Sequence, residues 1–470
     1  MRSITDPARD QMLEKLVLPE VRELIEAGDT ETLRELINHW LPVEIALLVA
    51  DLELPEQVQL LRALELPLRT DTFEYLPLQV QEQLFGALTG QEAADILNTM
   101  AADDRTGLLE QLPGGFMAKL LRLLSPEERE VAESLLEYGE DSVGRLMTTD
   151  YVSVKAEWTM QQVLDYVREH GRDSETLNHI YVVGDDGVLL DDIRIREVLL
   201  APLSRRVSDI MDRQFPALTV SQDRRDAVEV FRMYDRTALP VVDADGVLVG
   251  IVTVDDVIDI AEEEATKDAQ KFGGLEALDE PYKDTPTLLL VRKRAAWLII
   301  LFVGEMLTAT AMGYFEGEIA KAVVLALFVP LIISSGGNSG SQAATLLIRA
   351  LAVREIGLHD WWWVMRREML SGLLLGCILG TIGFIRIAAW SAFSNVYGPH
   401  WMLVALTVAF SLVGIVMWGT LSGSMLPFVL KRLGFDPATS SAPFVATLVD
   451  VTGLIIYFTV ALVVLRGTLL

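Results

Sequence analysis

The chain has 470 residues, 51% of them hydrophobic, and a formal net charge of −28. Of its 39 Lys+Arg and 67 Asp+Glu, residues 291–470 carry 12 and 8, a net of +4; the remaining 27 and 59 put −32 on residues 1–290. That balance argues against nucleic acid or anionic lipid as partners of the acidic part and favours divalent cations, although acidic surfaces also serve solubility. The single cysteine, Cys377, makes a disulfide within the chain impossible and fits a reducing compartment.

The chain opens Met1-Arg2-Ser3-Ile4-Thr5-Asp6 with no apolar core, so no signal peptide is expected and the soluble part is placed in the cytoplasm. Residues 1–140 show short helical patterns punctuated at Leu41-Pro42, Leu54-Pro55, Leu76-Pro77, Thr89-Gly90, Leu112-Pro113 and Ser125-Pro126. Such spacing predicts an all-α superhelix of stacked hairpins. Its acids Glu92, Asp95, Asp103 and Asp104 are each read first as solvated.

Residues 141–262 contain a duplication. Copies at 141–204 and 205–262 each run from an amphipathic helix to an apolar strand, an Asp-Gly turn (Asp186-Gly187, Asp245-Gly246) and a closing helix, an α/β order. A helical pattern within 257–290 then carries Asp259, Glu262, Glu263, Glu264 and Asp268 and points at the basic residues before the first apolar run. An acidic connector of this kind suits gating: cations hold facing carboxylates together, and without them like charges repel.

Residues 291–470 hold five runs long enough to cross a membrane, near 295–315, 319–349, 368–391, 401–430 and 442–466. Pro330 and Pro427 predict kinks or tilt. Basic residues cluster before the first run (Arg292, Lys293, Arg294), between the second and third (Arg349, Arg354, Arg366, Arg367) and between the fourth and fifth (Lys431, Arg432). This places the N-terminus inside and the C-terminus outside. Gly372, Gly376, Gly380, Gly414, Gly419 and Gly423 are read as sites of close helix packing.

One ionisable side chain falls where lipid would not tolerate it: Asp450, in the run Val449-Asp450-Val451. A carboxylate at that depth costs at least about 2.5 kcal/mol. A structural pair with Arg386 is the bland alternative, but Arg386 sits toward the outer end of its run and can snorkel away. The second run is expected to break at Ser334-Ser335-Gly336-Gly337-Asn338-Ser339-Gly340-Ser341-Gln342, where Asn338 and Gln342 lie one turn apart and offer oxygens. Two-fold symmetry would bring two Asp450 carboxylates together, a site suited to Mg2+, which keeps several waters.

These residues carry a family resemblance. The duplicated units look like a pair of CBS modules, and Thr253-Val254-Asp255-Asp256 matches that family's ribose-contacting Thr-x-x-Asp pattern. The first copy departs from it, with Arg194 and Glu197 in those places. Asp256 serves equally well as nucleotide contact, metal ligand or helix cap. Over nearly its whole length the chain resembles the MgtE family of magnesium channels and transporters, most specifically at 330–342, at Gly423-Ser424-Met425-Leu426-Pro427, at Asp436-Pro437 and at 443–453.

The resemblance implies a multidomain homodimer: a helical N domain, tandem CBS modules, a connecting "plug" helix and a five-helix transmembrane domain in a bacterial plasma membrane, in contact with lipid. It implies a Mg2+-selective pore around Asp450 with Gly337, Asn338 and Ala446, and closure by Mg2+ on cytosolic acids at Glu92, Asp95, Asp235, Asp256, Asp259, Glu264, Asp268 and Asp436. ATP at Thr253 and Asp256 is a possible regulator implied by the same family. Lys267 departs from relatives that carry an acid there, and Ala442 replaces an amide. The competing readings are an alternating-access divalent cation carrier, for which neither a second intramembrane acid nor an inverted repeat is evident, and an enzyme, for which no catalytic constellation is found.

Overall fold

The computed structural model describes residues 17–469 except 173, 279–281, 283, 284, 354 and 440, so the opening segment 1–6 and Arg354 lie outside the described residues. The chain divides into two compact units, Met1–Glu262 and Glu263–Leu470.

The first unit begins with ten short helices among the described residues. They are α1 (Leu18–Ala27), α2 (Thr30–Ile37), α3 (Pro42–Ala50), α4 (Leu54–Ala63), α5 (Leu66–Glu74), α6 (Leu78–Ala87), α7 (Gly90–Thr99), α8 (Ala102–Gln111), α9 (Gly114–Leu121) and α10 (Pro126–Glu137). Pro42, Pro55 and Pro126 stand in the first helical turn, where a missing N–H costs nothing. Thr89 caps α7 by accepting from the Glu92 N–H. Helices pack on the next but one, α3 on α5, α4 on α6, α5 on α7 and α8 on α10, as stacked hairpins require. One apolar core, including Ile37, Ile45, Leu61, Phe73, Leu84, Ile96 and Leu109, runs through the stack. Buried Arg105 on α8 donates to the Leu97 and Met100 carbonyls at the end of α7 and pairs with Glu128, which fixes the first turn of α8.

After a short α11 (Val143–Leu146), the duplication appears as two three-stranded sheets of one topology. The first is built from β1 (Ser153–Val154), α12 (Met160–His170), β2 (His179–Val183), β3 (Leu189–Arg194) and α13 (Ile195–Leu200). The second uses β4 (Leu218–Thr219), α14 (Arg224–Tyr234), β5 (Ala238–Val242) and β6 (Leu248–Thr253). In each sheet the first strand is parallel to the second and the third antiparallel to it, with a register shift at the same place. Gly187 and Gly246 turn the hairpins at φ 80° and 81°, a left-handed conformation that favours glycine. Val188 and Val247 bridge the two turns, which joins the modules. Helix α15 (Val254–Phe272) follows β6 directly, and the first unit ends within it.

The second unit contains five helices or helical runs long and apolar enough to cross a membrane. Its elements are α16 (Thr287–Tyr314), α17 (Glu316–Lys321), a 3-10 stretch Val323–Phe328, α18 (Val329–Ala352), α19 (Trp361–Ser391), α20 (Trp401–Arg432) and α21 (Ala442–Val464). Two expectations are corrected. Helix α18 runs unbroken through 334–342, and the irregular backbone comes earlier, at Ala322 and the 3-10 stretch. Pro330 stands in the first turn of α18 and starts the helix; Pro427 lies inside α20.

The glycines of α18 serve contact with α20 and α21. A Cβ on Gly419 would fall 2.5 Å from the Gly336 carbonyl oxygen, and one on Gly423 would overlap the Gly340 carbonyl. Backbone meets backbone there, so a regular helix satisfies its own amides while small residues let α20 approach. Gly376 and Gly380 of α19 meet the Val413 and Ala409 backbone of α20 in the same way, the packing role expected of them.

Candidate ion path and sensing surfaces

Helix α21 packs against α18 and α16, and Asp450 lies half-buried along it. A Cβ built on Gly337 would be 3.4 Å from the Asp450 carboxylate and 3.4 Å from the Ala446 Cβ. Gly337, Ala446 and Asp450 are thus in one place, and Asn338 is the next residue on α18. Asn338 and Gln342 are exposed; the Asn338 amide donates to Ser334 Oγ at 3.3 Å, and Ser341 Oγ donates to the Ala442 carbonyl at 3.1 Å. The polar stripe continues to Thr345. Among the described residues Asp450 makes no ion pair. Arg386, the alternative partner, lies with its guanidinium 4.5 Å from the centre of the Trp390 ring.

A second acid does lie within a membrane-spanning helix, and this corrects the sequence reading. Glu305 is exposed on α16. A lone acid among apolar neighbours in Phe302-Val303-Gly304-Glu305-Met306-Leu307 is the signal that the sequence offers for it.

The last turns of α15 carry cations beside their acids. Lys267 Nζ is 2.6 Å from Glu263 and 3.6 Å from Glu264. Lys271 Nζ donates to Asp436 Oδ2 at 2.7 Å, and this pairing, aided by Asp268 and Glu264, raises the Lys271 ammonium above its ordinary value. Three expected sensing residues, Glu264, Asp268 and Asp436, therefore gather around two lysines. Nearby, Trp297 on α16 donates to Ser441 at the start of α21, and Lys293 Nζ donates to the Ala277 carbonyl.

The first unit holds a broader acidic surface. Glu74 ends α5, Asp103 and Asp104 open α8, Glu175 follows α12, and Asp255, Asp256 and Asp259 lie on the first turns of α15. Burial, then the charges of Asp104, Asp71 and Glu175, push Glu74 up to about 8. Burial also raises Asp256 to about 7 against a hydrogen bond from Thr253 Oγ1 at 2.7 Å, with Asp255, Asp104 and Glu175 adding to the rise. Asp103 is driven well up by burial and by Asp256, Asp104 and Glu175, and its Oδ1 is buried without a hydrogen-bond partner. Asp104 and Glu175 rise through burial and the charge of Asp255 among others, and Asp259 rises through burial first, with Glu262 and Asp255 contributing. Among the described residues, no three acidic, histidine or cysteine side chains converge as a ready-made metal chelate. The surface is one of mutual repulsion.

Of the expected sensing residues, Asp256 and Asp259 belong to this surface. Glu92 does not: Arg62 grips it at 2.6 and 3.0 Å and, with Thr89, lowers it to about 2. Asp95 accepts from Gln91 at 2.7 Å, and Asp235 ends α14 exposed at φ 50°, ψ 49°. Glu74, Asp103, Asp104, Glu175 and Asp255 join the surface although the sequence reading did not assign them to it. They come from segments far apart in the chain, so only the packing of the helical stack on the modules reveals them. Between the two modules, Asp191, Asp192, Arg194 and Glu197 of the first and Asp212 and Arg236 of the second line a polar cleft of about 250 Å³.

Comparison with known proteins settles the family. A curated relative from Thermus thermophilus, "Magnesium transporter MgtE", is 37% identical over 459 residues, covering 97% of this chain and 100% of that protein. The chain belongs to the MgtE family. Its residues 329–460 match the MgtE model described as a divalent cation transporter, residues 40–141 the MgtE intracellular N domain, and residues 143–204 and 207–263 the CBS domain. The Bacillus subtilis MgtE relative, also named a magnesium transporter, is 27% identical over 96% of this chain and 97% of its own. Two solved structures resemble the soluble part. The soluble part of a magnesium transporter has a TM-score of 0.51 at 28% identity, covering 53% of this chain and 98% of its own. The cytosolic domain of the Mg2+ channel MgtE in complex with ATP has a TM-score of 0.50 at 31% identity, covering 52% and 100%. The expected architecture of MgtE N domain, tandem CBS modules and five membrane-spanning helices is therefore the one this MgtE-family chain has.

Proposed function

We propose that the chain takes up Mg2+ through a polar path lined by Asp450, Gly337, Asn338 and Ala446, as a homodimeric channel of a bacterial plasma membrane with its N-terminus in the cytoplasm and its C-terminus outside. The observation that carries this is the meeting of Gly337, Ala446 and Asp450 beside the exposed amides of α18. A carboxylate without a counter-charge is costly at membrane depth unless it faces water or an ion. Magnesium sheds water reluctantly, and one or two carboxylates plus amide oxygens suit its hydrated form.

The acids of the first unit supply the regulation in this proposal. Their shared charge holds Asp103, Asp104, Glu74, Glu175 and Asp256 in a state of repulsion that a divalent cation relieves, so high internal Mg2+ draws the helical stack and modules together and closes the path. Thr253 and Asp256 place a hydroxyl beside a carboxylate, a donor–acceptor set that fits the two hydroxyls of a ribose. The ATP-bound relative supports ATP as a modulator held there. Glu305 favours one second reading: a further intramembrane acid suits an alternating-access carrier. The test is electrical recording from the purified chain in planar bilayers. Discrete unitary Mg2+ currents support the channel; flux without unitary steps supports the carrier.

A further inference from the structure

Within the second unit, the end of α15 meets the membrane-spanning helices at one joint. Gly274 stops α15 in the left-handed conformation at φ 73°. The chain closes back on the helix as its N–H donates to the Lys271 carbonyl and the Leu275 N–H to the Gln270 carbonyl. The turn lays the following residues on the start of α16, where buried Lys293 donates to the Ala277 carbonyl and the Glu276 N–H to the Lys293 carbonyl. Trp297 stands one turn further along the same face. A Cβ on Gly274 would be 2.6 Å from Trp297 Nε1 and 3.3 Å from Ser441 Oγ, so a side chain there would push the indole aside. Trp297 Nε1 donates to Ser441 Oγ at 3.1 Å, and its ring lies 6.2 Å from that of Phe444.

Ser441 is fully buried and holds the N-cap position of α21, at φ −56° and ψ 154°. A serine there ordinarily accepts from a first-turn N–H of its own helix. Ser441 makes no such bond; its hydroxyl accepts from Trp297 instead. From the other side, Ser341 of α18 donates to the Ala442 carbonyl. Asp450 lies about two turns along α21 from this anchored start. We infer that Trp297 is a positioning residue: through Ser441 it sets where α21 stands according to how the end of α15 docks at Gly274, and so carries closure to the ion path. The Ser441 hydroxyl can accept from the indole or from the first turn of α21, so a small movement of the connector exchanges one arrangement for the other. This role rests on the proposed closure of the path by cytosolic Mg2+.

The experiment records Mg2+ current through the full-length chain in inside-out membrane patches, with pipette Mg2+ fixed and bath Mg2+ graded on the face of the soluble part. The variants are W297F, S441A, W297F/S441A and G274A, beside wild type. W297F keeps a ring and removes the N–H; S441A removes its acceptor. Loss of this one hydrogen bond raises the bath Mg2+ that halves the current about threefold to tenfold in each. Both changes remove the same bond, so W297F/S441A moves that concentration no further than either single variant. G274A keeps indole and hydroxyl but forces them apart, and moves it the same way. S441A is the smallest change and decides if W297F or G274A fails to fold. A current that is merely smaller, with the half-closing concentration unmoved in S441A and W297F, overturns the joint and leaves closure by Mg2+ standing. Additive shifts in the double variant overturn the shared bond. Wild type without Mg2+ current, or with current indifferent to bath Mg2+, overturns the proposed function itself.

Discussion

Gly337 and Asp450 stand so close that one added carbon on the glycine would touch the carboxylate, at 3.4 Å. That distance is ordinary van der Waals contact, so Gly337→Ala fits and is expected to retain most uptake. Gly337→Leu fills the space in front of the carboxylate and is expected to reduce Mg2+ uptake by about tenfold or more, as a misplacement at a site of tight geometry does. Uptake by vesicles carrying equal amounts of each variant checks this, and full activity of Gly337→Leu would move the ion path elsewhere.

The glycine crossing of α18 and α20 sets a stability prediction. Gly419→Ala drives a methyl to within 2.5 Å of the Gly336 carbonyl oxygen, a clash with backbone. Overpacking of this kind costs about 1–3 kcal/mol. Gly313→Ala, where nothing lies within 4 Å, is the control. Thermal unfolding in detergent is expected to show a lowered midpoint for the first and none for the second.

The Lys271–Asp436 pair is partly exposed, so it is worth about 0–1 kcal/mol and is screened by salt. It nevertheless supplies a resident cation where the sequence pattern expects carboxylates to gather a metal ion. In chelator, wild type is expected to resist protease at the end of α15 better than Lys271→Ala; with Mg2+ present the two become alike. Equal cleavage without Mg2+ would remove this role from Lys271.

Stability of the first unit depends on pH in a direction that its raised acids fix. Glu74 goes from an ordinary 4.5 to about 8 and Asp256 from 3.8 to about 7 on folding. Between those values the folded chain keeps protons that the unfolded chain has lost, so this contribution falls as pH rises toward neutrality. Hydrogen exchange in α5 and α8, corrected for its intrinsic rate and measured in chelator, is expected to quicken between about pH 5 and about pH 8. Mg2+ is expected to restore protection at the upper pH, and sodium of equal ionic strength is not. Equal protection by both ions would reduce the acidic surface to charge screening.

Much of this architecture was legible in the residues, and the failures have physical causes. Helix starts in the stack are written in Pro42, Pro55 and Pro126, and the duplication in the two Asp-Gly turns. Basic clusters and apolar runs marked the spans, though α16 starts earlier and α18 later than expected. The Gly-Gly-Asn segment misled because glycine signals either broken backbone or close approach, and only the Gly336–Gly419 crossing distinguishes them. Gly337, Ala446 and Asp450 converge as one local group because two neighbouring helices carry them. Glu74, Asp103, Glu175 and Asp256 sit on four separated elements, and no local pattern announces their shared surface.

The central claim is that an ionised Asp450 holds Mg2+ in the membrane path, and Asp450→Asn tests it most directly because it keeps size and removes charge. Vesicles containing the variant, folded and assembled like wild type, are predicted to take up no Mg2+ above empty vesicles. Wild-type uptake by Asp450→Asn would contradict the account.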